Sequence, residues 1–526
     1  MPDMDGFTSS AVLYNYLKQN YNDYNFELSY HIPEGKEHGL EVLMPLLQKE
    51  KIYDLIICPD SSSNDEEFHK ILSEMGYEIL VIDHHLASGY SPYATVINNQ
   101  LSENYLNKEL SGVGVVYKLL QLLDERNDIR DADNYLDLVA AGICADMCPL
   151  LTLENRFISE YGFSHLYNSG LRELIKYQAY SILGVATSEI TDWNKVKVNP
   201  IDISFYIAPL VNALIRVGTI KDKETLFEAF INGRKLVDST KRGHKGELET
   251  IAEQNARNCA NARARQNKEK EKATELLDIQ IFNDNLDENK ILILNADELE
   301  TPNTLTGLCA MNVAAKYKKP ILLGRTTPDG QYLKGSMRGQ NGSELKDFRK
   351  FLLDSGYMDY VEGHANASGF SLKISDIPKL YDYANKQLAN INFNEGFYEV
   401  DFIVDNNCSY LKDLIFELDK GKSIYGQDCD EPLIVVENIS VAPASISFIG
   451  TNKDTLKISS GDITFIKFKA KELIEQLQDL LKSLKAADKI SFTIIGKGNI
   501  NTWCGRKTAQ IFIEGLEFEK VNKYTF

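Results

Sequence analysis

The triplet Asp83-His84-His85 constrains this chain more than any other feature, because it directly follows the short apolar run 79–82. An Asp-His-His triplet alone is weak evidence, but here it belongs to a set of acidic positions in the first part of the chain. The other members open the chain or follow apolar runs, and they are Asp3, Asp5, Asp60 and Asp146. The pattern indicates carboxylates and imidazoles that a folded sheet could bring together.

Residues 1–215 alternate short β-rich runs with helical stretches, which predicts a parallel sheet with helices on its faces. The functional site of such a sheet lies at the carboxyl ends of the strands, where Asp60 and Asp83 both fall. A single aspartate after a strand is more often a helix cap or a turn residue. The joint pattern is much less easily explained that way, and it favours a metal site.

The residue types predict which metal binds. Carboxylate oxygens suit Mg²⁺ or Mn²⁺, and an added imidazole shifts the preference toward Mn²⁺. Two such ions, roughly 3.5–4 Å apart, can orient a phosphate and neutralise the oxygen that leaves. The candidate ligands of the two ions are Asp3, Asp5, Asp60, Asp146 and His84. Metal-assisted hydrolysis of a phosphate ester is therefore the leading interpretation.

Composition narrows the class of protein. A chain of 526 residues is too long for one core, and about three domains are expected. The net charge of 57 − 76 = −19 argues against a protein that coats nucleic acid, although one local basic groove is still possible. No apolar run approaches the roughly 18 residues of a membrane span, and the start lacks the pattern of a signal peptide. Scattered cysteines predict reduced thiols, so we expect a cytoplasmic protein with no membrane partner.

The fold class expected from these patterns is α/β, with a C-terminal β-barrel. Residues 216–280 are charged and nearly free of proline, which predicts a long connecting helix whose central part covers 246–277. That helix is expected to have solvent on most sides; the alternative is that Arg257, Arg263 and Arg265 line a nucleic-acid channel. An α/β pattern restarts at 281–392, and the many short strands of 393–526 with one inserted helix suggest an OB-fold.

Four segments resemble the motifs of the DHH phosphoesterases. They are Asp3-Met4-Asp5-Gly6, the aspartate after a strand at Asp60, the Asp83-His84-His85 triplet and residues 145–150, which read Ala-Asp-Met-Cys-Pro-Leu. Within that superfamily the chain is most similar to the RecJ single-strand DNA exonucleases. Residues 363–370 resemble the DHH-associated domain, and segments 425–432 and 503–510 resemble the OB-fold of RecJ. The resemblance covers nearly the whole chain and implies a DHH domain (1–215), a connecting helix (216–280), a DHH-associated domain (281–392) and an OB-fold-like domain (393–526).

The resemblance also implies a role for each candidate residue. The five metal ligands would be those named above, with Asp83 orienting His84 and with His85 beside the scissile phosphate. A pocket for the terminal 5′-phosphate would be formed by Arg216, Ser336 and Arg338, with His364 in the same cleft and Lys36 in place of a more usual arginine. The OB-fold would contact nucleic acid through Trp503, Arg506 and Lys507, although a tryptophan in a barrel core is equally compatible with the sequence.

The function implied is a metal-dependent 5′-to-3′ exonuclease on single-stranded DNA in recombination and repair, with a helicase or a single-strand-binding protein as candidate partners. One alternative is a phosphodiesterase for short oligonucleotides or cyclic dinucleotides, against which the C-terminal domain counts. The other alternative is an inactive DHH-fold scaffold.

The start of the chain departs from the family pattern. Members have a strand before the first aspartates, whereas here Met1 lies two residues before Asp3. We therefore expect the sheet to lack an inner strand, Asp3 and Asp5 to lie on a mobile terminus, and metal binding to be weakened.

Overall fold

The protein is described from a computed structural model. The structure describes residues 3–22, 26–33, 39–49, 51–340, 342–393, 398–485, 488–503 and 506–520. The chain forms two compact units. The first comprises Met1–Cys148, Tyr161–Lys197 and Asp202–Tyr398, and the second comprises Pro149–Glu160, Val198–Ile201 and Glu399–Phe526. The C-terminal unit therefore includes two short segments from the first half of the chain, which the sequence had not indicated.

The helices of the chain, in order, are α1 (Met4–Asn20), α2 (Met44–Leu47), α3 (Glu66–Glu74), α4 (Gly112–Asn127), α5 (Leu136–Ala145), α6 (Leu153–Ser164), α7 (Ser169–Tyr177), α8 (Ala179–Leu183), α9 (Pro200–Asp202), α10 (Ala208–Val217), α11 (Ile220–Asn232), α12 (Ile251–Asn283), α13 (Thr306–Tyr317), α14 (Phe348–Asp354), α15 (Ile377–Gln387), α16 (Leu411–Lys420) and α17 (Lys471–Lys482). A π-helical turn at Ile203–Ile207 leads into α10.

The strands of the first unit are β1 (Leu55–Pro59), β2 (Glu78–Asp83), β3 (Thr95–Asn98), β4 (Leu236–Asp238), β5 (Leu248–Thr250), β6 (Leu292–Asn295), β7 (Ile321–Thr326), β8 (Tyr332–Arg338), β9 (Met358–His364) and β10 (Ala367–Lys373). The strands of the second unit are β11 (Phe402–Asp405), β12 (Leu433–Val441), β13 (Ile446–Ile449), β14 (Thr455–Ser460), β15 (Ile463–Lys467), β16 (Ile490–Trp503) and β17 (Arg506–Lys520).

The first sheet is parallel, as its alternating pattern predicted. Its described strands run in the order β1-β2-β3, and α1 packs against α4 and α5 beside them. Buried Ile56, Val81 and Ile82 suit a covered parallel strand. Because the strands share one direction, Asp60 and Asp83 lie at the same edge of the sheet, and the α/β fold class is confirmed.

The second sheet of this unit has the order β6-β7-β8-β10-β9. Helix α13 covers β6 and β7 on one face, while α14 and α15 belong to the core on the other. On β8, Ser336 lies opposite Gly369 and Arg338 lies opposite Ala367 of β10. Residues two apart on a strand share a face, so Ser336 and Arg338 project from the same side of the sheet.

The long helix differs from its expected character. It occupies Ile251–Asn283, and Thr250 and Glu253 close a reciprocal cap at its start. The expectation of solvent on most sides is wrong, because one stripe of the helix is buried along its length. Small side chains in this stripe let α12 pack closely against α7, α10, α11 and α13: Ala252, Ala256, Cys259, Ala262 and Ala273.

The second unit is built on one seven-stranded sheet with the order β11-β12-β16-β17-β15-β14-β13. Two amphipathic helices, α16 and α17, bury Leu411, Ile415, Ile474 and Leu477 in its core. The many-stranded domain with an inserted helix agrees with the OB-fold expectation.

One stretch, Pro200–Val217, is long and apolar enough to cross a membrane by length and composition. More than half of it, 56%, is buried inside the protein, where α10 packs against α12 and α5. Such burial is the ordinary environment of a core helix.

Candidate metal centre and phosphate pocket

Asp5 is fixed by the start of another helix. It is 2% exposed, and its two carboxylate oxygens accept hydrogen bonds from the N–H groups of Gly112 (2.7 Å) and Val113 (3.1 Å) at the beginning of α4. Burial raises the pKa of Asp5, although the His84 charge and these two N–H groups act in the opposite direction. Asp5 is therefore held in a defined position with its charge only partly compensated.

The expectation that the first aspartates lie on a mobile terminus is wrong. Met4 is fully buried and its N–H donates to Asn212 Oδ1 of α10 at 2.9 Å. Asp3 caps α1 by accepting from the Gly6 N–H at 3.2 Å. The expectation of weakened metal binding stays a prediction, which a calorimetric Mn²⁺ titration would test.

Asp60 follows β1 in a left-handed conformation, with φ of 57°. Its Oδ1 atom is buried and accepts no hydrogen bond from the described residues. Burial, and after it the charges of Asp5 and Asp3, raise the pKa of Asp60 well above its usual range. A buried carboxylate oxygen without a donor is costly unless a cation binds there, so Asp60 is poised for a ligand.

His84 lies among three of these carboxylates. Its Nε2 atom is 3.2 Å from Asp60 Oδ1 and 3.9 Å from Asp5 Oδ2, while its Nδ1 atom is 3.8 Å from Asp146 Oδ2. Asp146 ends α5, and Met147 after it has φ of 57°, which turns the chain so that the Cys148 thiol donates to Asp146 at 3.5 Å. Burial, and after it the charge of Asp5, raise the pKa of Asp146 to about 7.

Two overlapping groups of side chains could each hold an ion. One ligand atom from each of Asp60, His84 and His85 falls within 4.8 Å of the others, and the same is true of Asp5, His84 and Asp146. The sequence interpretation had kept His85 for catalysis, so its place in the first group is an addition. Hard oxygens, one shared imidazole and an Asp60 oxygen that accepts no hydrogen bond from the described residues fit Mn²⁺ or Mg²⁺.

Asp83 contacts the ring of His85 rather than that of His84. Its Oδ1 is 2.7 Å from His85 Nδ1 and accepts from the His84 N–H at 2.8 Å, and its Oδ2 accepts from the Ser63 N–H. Burial alone would raise the pKa of Asp83, but the His85 contact and the hydrogen bond from Ser63 hold it below its usual range. The same contact raises the pKa of His85. The expected partner of Asp83 is therefore corrected: its carboxylate orients the His85 ring.

Two glycines make room for the carboxylates. A Cβ on Gly112 would lie 2.3 Å from Asp60 Oδ1, and a Cβ on Gly142 would lie 2.8 Å from Asp5 Oδ1. Neither glycine has a positive φ, so space and not backbone conformation requires them here. The sequence interpretation gave no role to Gly112, Gly142, Asn212 or Cys148, because a contact across elements has no local signal.

The expected phosphate residues also come together. Arg216 lies one turn after Asn212 on α10. Burial lowers the pKa of Arg216; the charge of Asp3 acts in the opposite direction and that of Arg263 in the same direction. Arg338 lies near Arg216, whose charge adds to burial in lowering the pKa of Arg338. A Cβ on Gly307 of α13 would lie 2.5 Å from Arg338 Nη2 and 3.4 Å from Ser336 Oγ. Two guanidinium groups and a hydroxyl are thus neighbours, and the charge of Asp3 reaches Arg216.

The remaining candidates are less closely placed. His364 ends β9, is exposed, and lies in one cross-strand row with Ala367 and Arg338. Arg506 and Lys507 are exposed at the start of β17, in the second unit. Lys36 and the Trp503 side chain lie outside the described residues.

Comparison with known proteins agrees with this geometry. The profile of the DHH family, N-terminal domain, matches residues 1–143, and the profile of the RecJ OB domain matches residues 408–515. The putative SPbeta prophage-derived single-strand DNA-specific exonuclease YorK of Bacillus subtilis (strain 168) is 35% identical over 520 residues, which are 98% of this chain and 86% of that protein. The single-stranded-DNA-specific exonuclease RecJ of the same organism is 27% identical over 97% of this chain and 60% of its own length.

Solved structures share the fold. The crystal structure of RecJ in complex with Mn²⁺ from Thermus thermophilus gives a TM-score of 0.69 at 19% identity, and covers 98% of this chain and 68% of that one. The structure of the same protein with Mg²⁺ gives a TM-score of 0.62. Both are similar to this chain over both of its units.

Proposed function

Because this chain belongs to the RecJ family of DHH phosphoesterases and is a phosphodiesterase nuclease, we propose that it degrades single-stranded DNA from the 5′ end with two Mn²⁺ or Mg²⁺ ions. The observation that supports this most is His84 flanked by Asp5, Asp60 and Asp146, with an arginine pocket beside Asp3 in the same unit. A cation site next to an anion pocket is what a reaction at the end of a phosphodiester strand requires.

Asp3, Asp5, Asp60, His84 and Asp146 would hold the ions. When bound, such ions polarise a phosphate and stabilise the charge that develops on the oxygen that leaves. Asp83 keeps the His85 ring oriented through Nδ1 and favours its protonated form. A protonated and oriented imidazole beside the scissile phosphate can donate a hydrogen bond to it as negative charge builds up.

The arginine pocket would set the direction in which the strand is degraded. Arg216, Arg338 and Ser336 can hold a terminal phosphate dianion through paired N–H donors and a hydroxyl. A strand whose 5′-phosphate occupied this pocket would place its first internal phosphodiester toward Asp3 and the metal ligands. His364 would line the same cleft, and Lys36 would add charge to it.

The second unit would hold the strand beyond the site. OB-folds bind single strands through basic grooves and stacking side chains, and Trp503, Arg506 and Lys507 are the candidates here. The work of such a nuclease in recombination and repair would depend on strands that a helicase exposes and a single-strand-binding protein covers.

A gel assay tests the proposal. A single-stranded oligodeoxynucleotide, labelled at its 3′ end and phosphorylated at its 5′ end, is incubated with the protein and Mn²⁺, beside a duplex, an RNA strand and a dinucleotide. We expect progressive shortening of the single strand from its 5′ end, lost on EDTA addition and in Asp146→Ala. The matched control is Asp359→Asn, an exposed acidic residue of β9 distant in sequence from every candidate metal ligand.

Each other outcome contradicts the proposal in a distinct way. Cleavage of the dinucleotide alone would assign the chain to small-nucleotide phosphodiesterases. If Asp146→Ala still shortened the strand, the metal cluster would not be required for cleavage.

A further inference from the structure

The anion pocket does not end at Arg216. Arg263 lies on α12. Its charge adds to burial in lowering the pKa of Arg216, and it has the same effect on the pKa of Lys270 of the same helix. Each of Arg338, Arg216, Arg263 and Lys270 is therefore close enough to the next cation for the charges to influence one another. Within the described part of the chain, none of the four makes an ion pair within 4 Å. A single terminal phosphate does not need four cations.

The helix geometry places the outer members of this series together. Arg263, Gln266 and Lys270 are spaced i, i+3 and i+7, so they lie on one face of α12. Arg263 and Lys270 are separated by about 10 Å along the axis.

Gln266 is the second sign of a ligand. Its side chain is 0% exposed, and its Oε1 accepts from Arg263 Nη1 at 2.6 Å. Its Nε2 is buried with no hydrogen-bond partner among the described residues. This contact fixes the Arg263 guanidinium and leaves an amide donor beside it without an acceptor. An anion next to Arg263 would satisfy both groups.

We propose that Arg263, Gln266 and Lys270 form a second anion subsite, which accepts the outer phosphates of a strand with a 5′-triphosphate end. This inference rests on the proposed function, in which Arg216, Ser336 and Arg338 hold the 5′-terminal phosphate. The outer phosphates of a triphosphate extend away from the first internal phosphodiester. Arg263 and Lys270 would meet those outer phosphates, because the charge of Arg263 acts on both Arg216 and Lys270.

The reaction stays an ordinary hydrolysis. Water adds to the first internal phosphate, and the bond from that phosphorus to the 3′ oxygen of the first nucleotide breaks. The products are a nucleoside 5′-triphosphate, whose 3′ oxygen takes up a proton, and a shortened strand with a 5′-phosphate. The next cycle then uses the monophosphate pocket alone.

The test compares three strands of one sequence with 5′-hydroxyl, 5′-monophosphate and 5′-triphosphate ends. Binding is measured by fluorescence anisotropy in EDTA, and the first product is identified by chromatography after Mn²⁺ is added. We expect the triphosphate strand to bind about tenfold more tightly than the monophosphate strand, with release of a nucleoside triphosphate. Arg263→Gln and Lys270→Gln should each lower that preference at least severalfold and change monophosphate binding little.

The control is Lys268→Gln, an exposed lysine of the same helix, which should leave the preference unchanged. Equal binding of the mono- and triphosphate strands by the unsubstituted protein would overturn the inference while monophosphate cleavage still supports the proposed function. An equal loss for both strands in Arg263→Gln would overturn it as well, because Arg263 would then belong to the monophosphate pocket. Failure to cleave any strand would instead overturn the proposed function.

Discussion

At Asp60 the main chain takes a conformation that most residues avoid, and it does so where a carboxylate must point into the metal cluster. Aspartate tolerates a positive φ better than most side chains, although at some cost in energy. The left-handed turn aims Oδ1 at His84, 3.2 Å away. Strain at Asp60 and the missing Cβ at Gly112 therefore act together to form one ligand position.

Gly112→Ala tests this pairing. The new methyl would lie 2.3 Å from Asp60 Oδ1, so we expect the carboxylate to be displaced and Mn²⁺ affinity to fall by about tenfold or more. Calorimetric titration with Mn²⁺ measures the change, and circular dichroism should show an intact fold. Gly89→Ala is the control, because a Cβ there meets nothing within 4 Å. Unchanged affinity in Gly112→Ala would mean that Asp60 is not a ligand.

The raised pKa of Asp146 predicts a pH dependence of stability. A carboxyl whose pKa is about 7 in the folded protein, against an ordinary 3.8, stabilises the metal-free fold while it is protonated. That contribution is complete below about pH 4 and is lost as the pH rises through about 7. In EDTA we expect the Tm to fall between pH 5.5 and 8, and to fall less in Asp146→Asn.

Mn²⁺ should reverse the trend, because the ion takes the place of the protons. Thermal unfolding with Mn²⁺ should therefore show the larger gain in Tm at pH 8 for the unsubstituted protein. If the Tm of Asp146→Asn in EDTA fell as much as that of the unsubstituted protein, a group other than Asp146 would be responsible for the pH dependence.

At this scale the sequence predicted the candidate side chains well, because acidic residues after apolar runs are a local pattern. Asp5, Asp60, His84 and Asp146 come together as expected. The contact of Asp83 with His85 could not be predicted, because the two histidines are adjacent and only the chain path after β2 decides which ring turns back. The glycines and Asn212 matter through neighbours distant in sequence.

At the scale of elements, α12 shows why a charged composition misleads. Its length was predicted within a few residues, but its environment was not, because a stripe of alanines looks neutral in sequence and becomes a close-packed face in the fold. Most charged residues occupy the other faces, whereas Arg263 and Lys270 lie beside the buried Gln266. The same helix therefore contributes a core stripe and, through Arg263, a group beside the anion pocket.

Two adjacent leucines of α12 make a matched pair. Leu277 is 1% exposed in the core with α13 and β6, whereas Leu276 is 48% exposed. We expect Leu277→Ala to lower the free energy of unfolding by about 2–4 kcal/mol, and Leu276→Ala by less than about 1 kcal/mol. Urea unfolding followed by circular dichroism checks both. Equal effects would contradict the packing of α12 described above.

At the scale of the whole molecule, the second unit is discontinuous in sequence. Leu150 donates its N–H to the Gln427 carbonyl at 2.9 Å, and Ser423 donates to Glu160 Oε1 at 3.0 Å. The sequence predicted an OB-fold over 393–526 and had no means of adding residues 149–160, because their pattern is that of an ordinary helix start. Long-range pairing of this kind leaves no periodic signal.

Gly426→Ala tests this discontinuous packing. A Cβ there would lie 2.6 Å from Leu150 Cδ1 and 3.1 Å from Pro200 Cβ. We expect a loss of about 1–3 kcal/mol in the stability of the second unit, through overpacking against segments from the first half of the chain. The control is Gly498→Ala, whose Cβ would make only ordinary contacts, the nearest at 3.5 Å. Differential scanning calorimetry measures the change, and equal Tm values for the two variants would contradict the packing.

This discontinuity has a consequence for how the protein is made. Ser423 and Glu160 are 263 residues apart, so a ribosome adding about 5–20 residues per second needs roughly 13–53 s between them. During that interval residues 149–160 have left the exit tunnel, while Ser423 and Gln427, which hydrogen-bond to them, have not yet been added. The first unit can begin to fold in that time, but the second unit closes only near the end of translation. A nascent chain would thus assemble its metal ligands well before the domain that is proposed to deliver DNA to them.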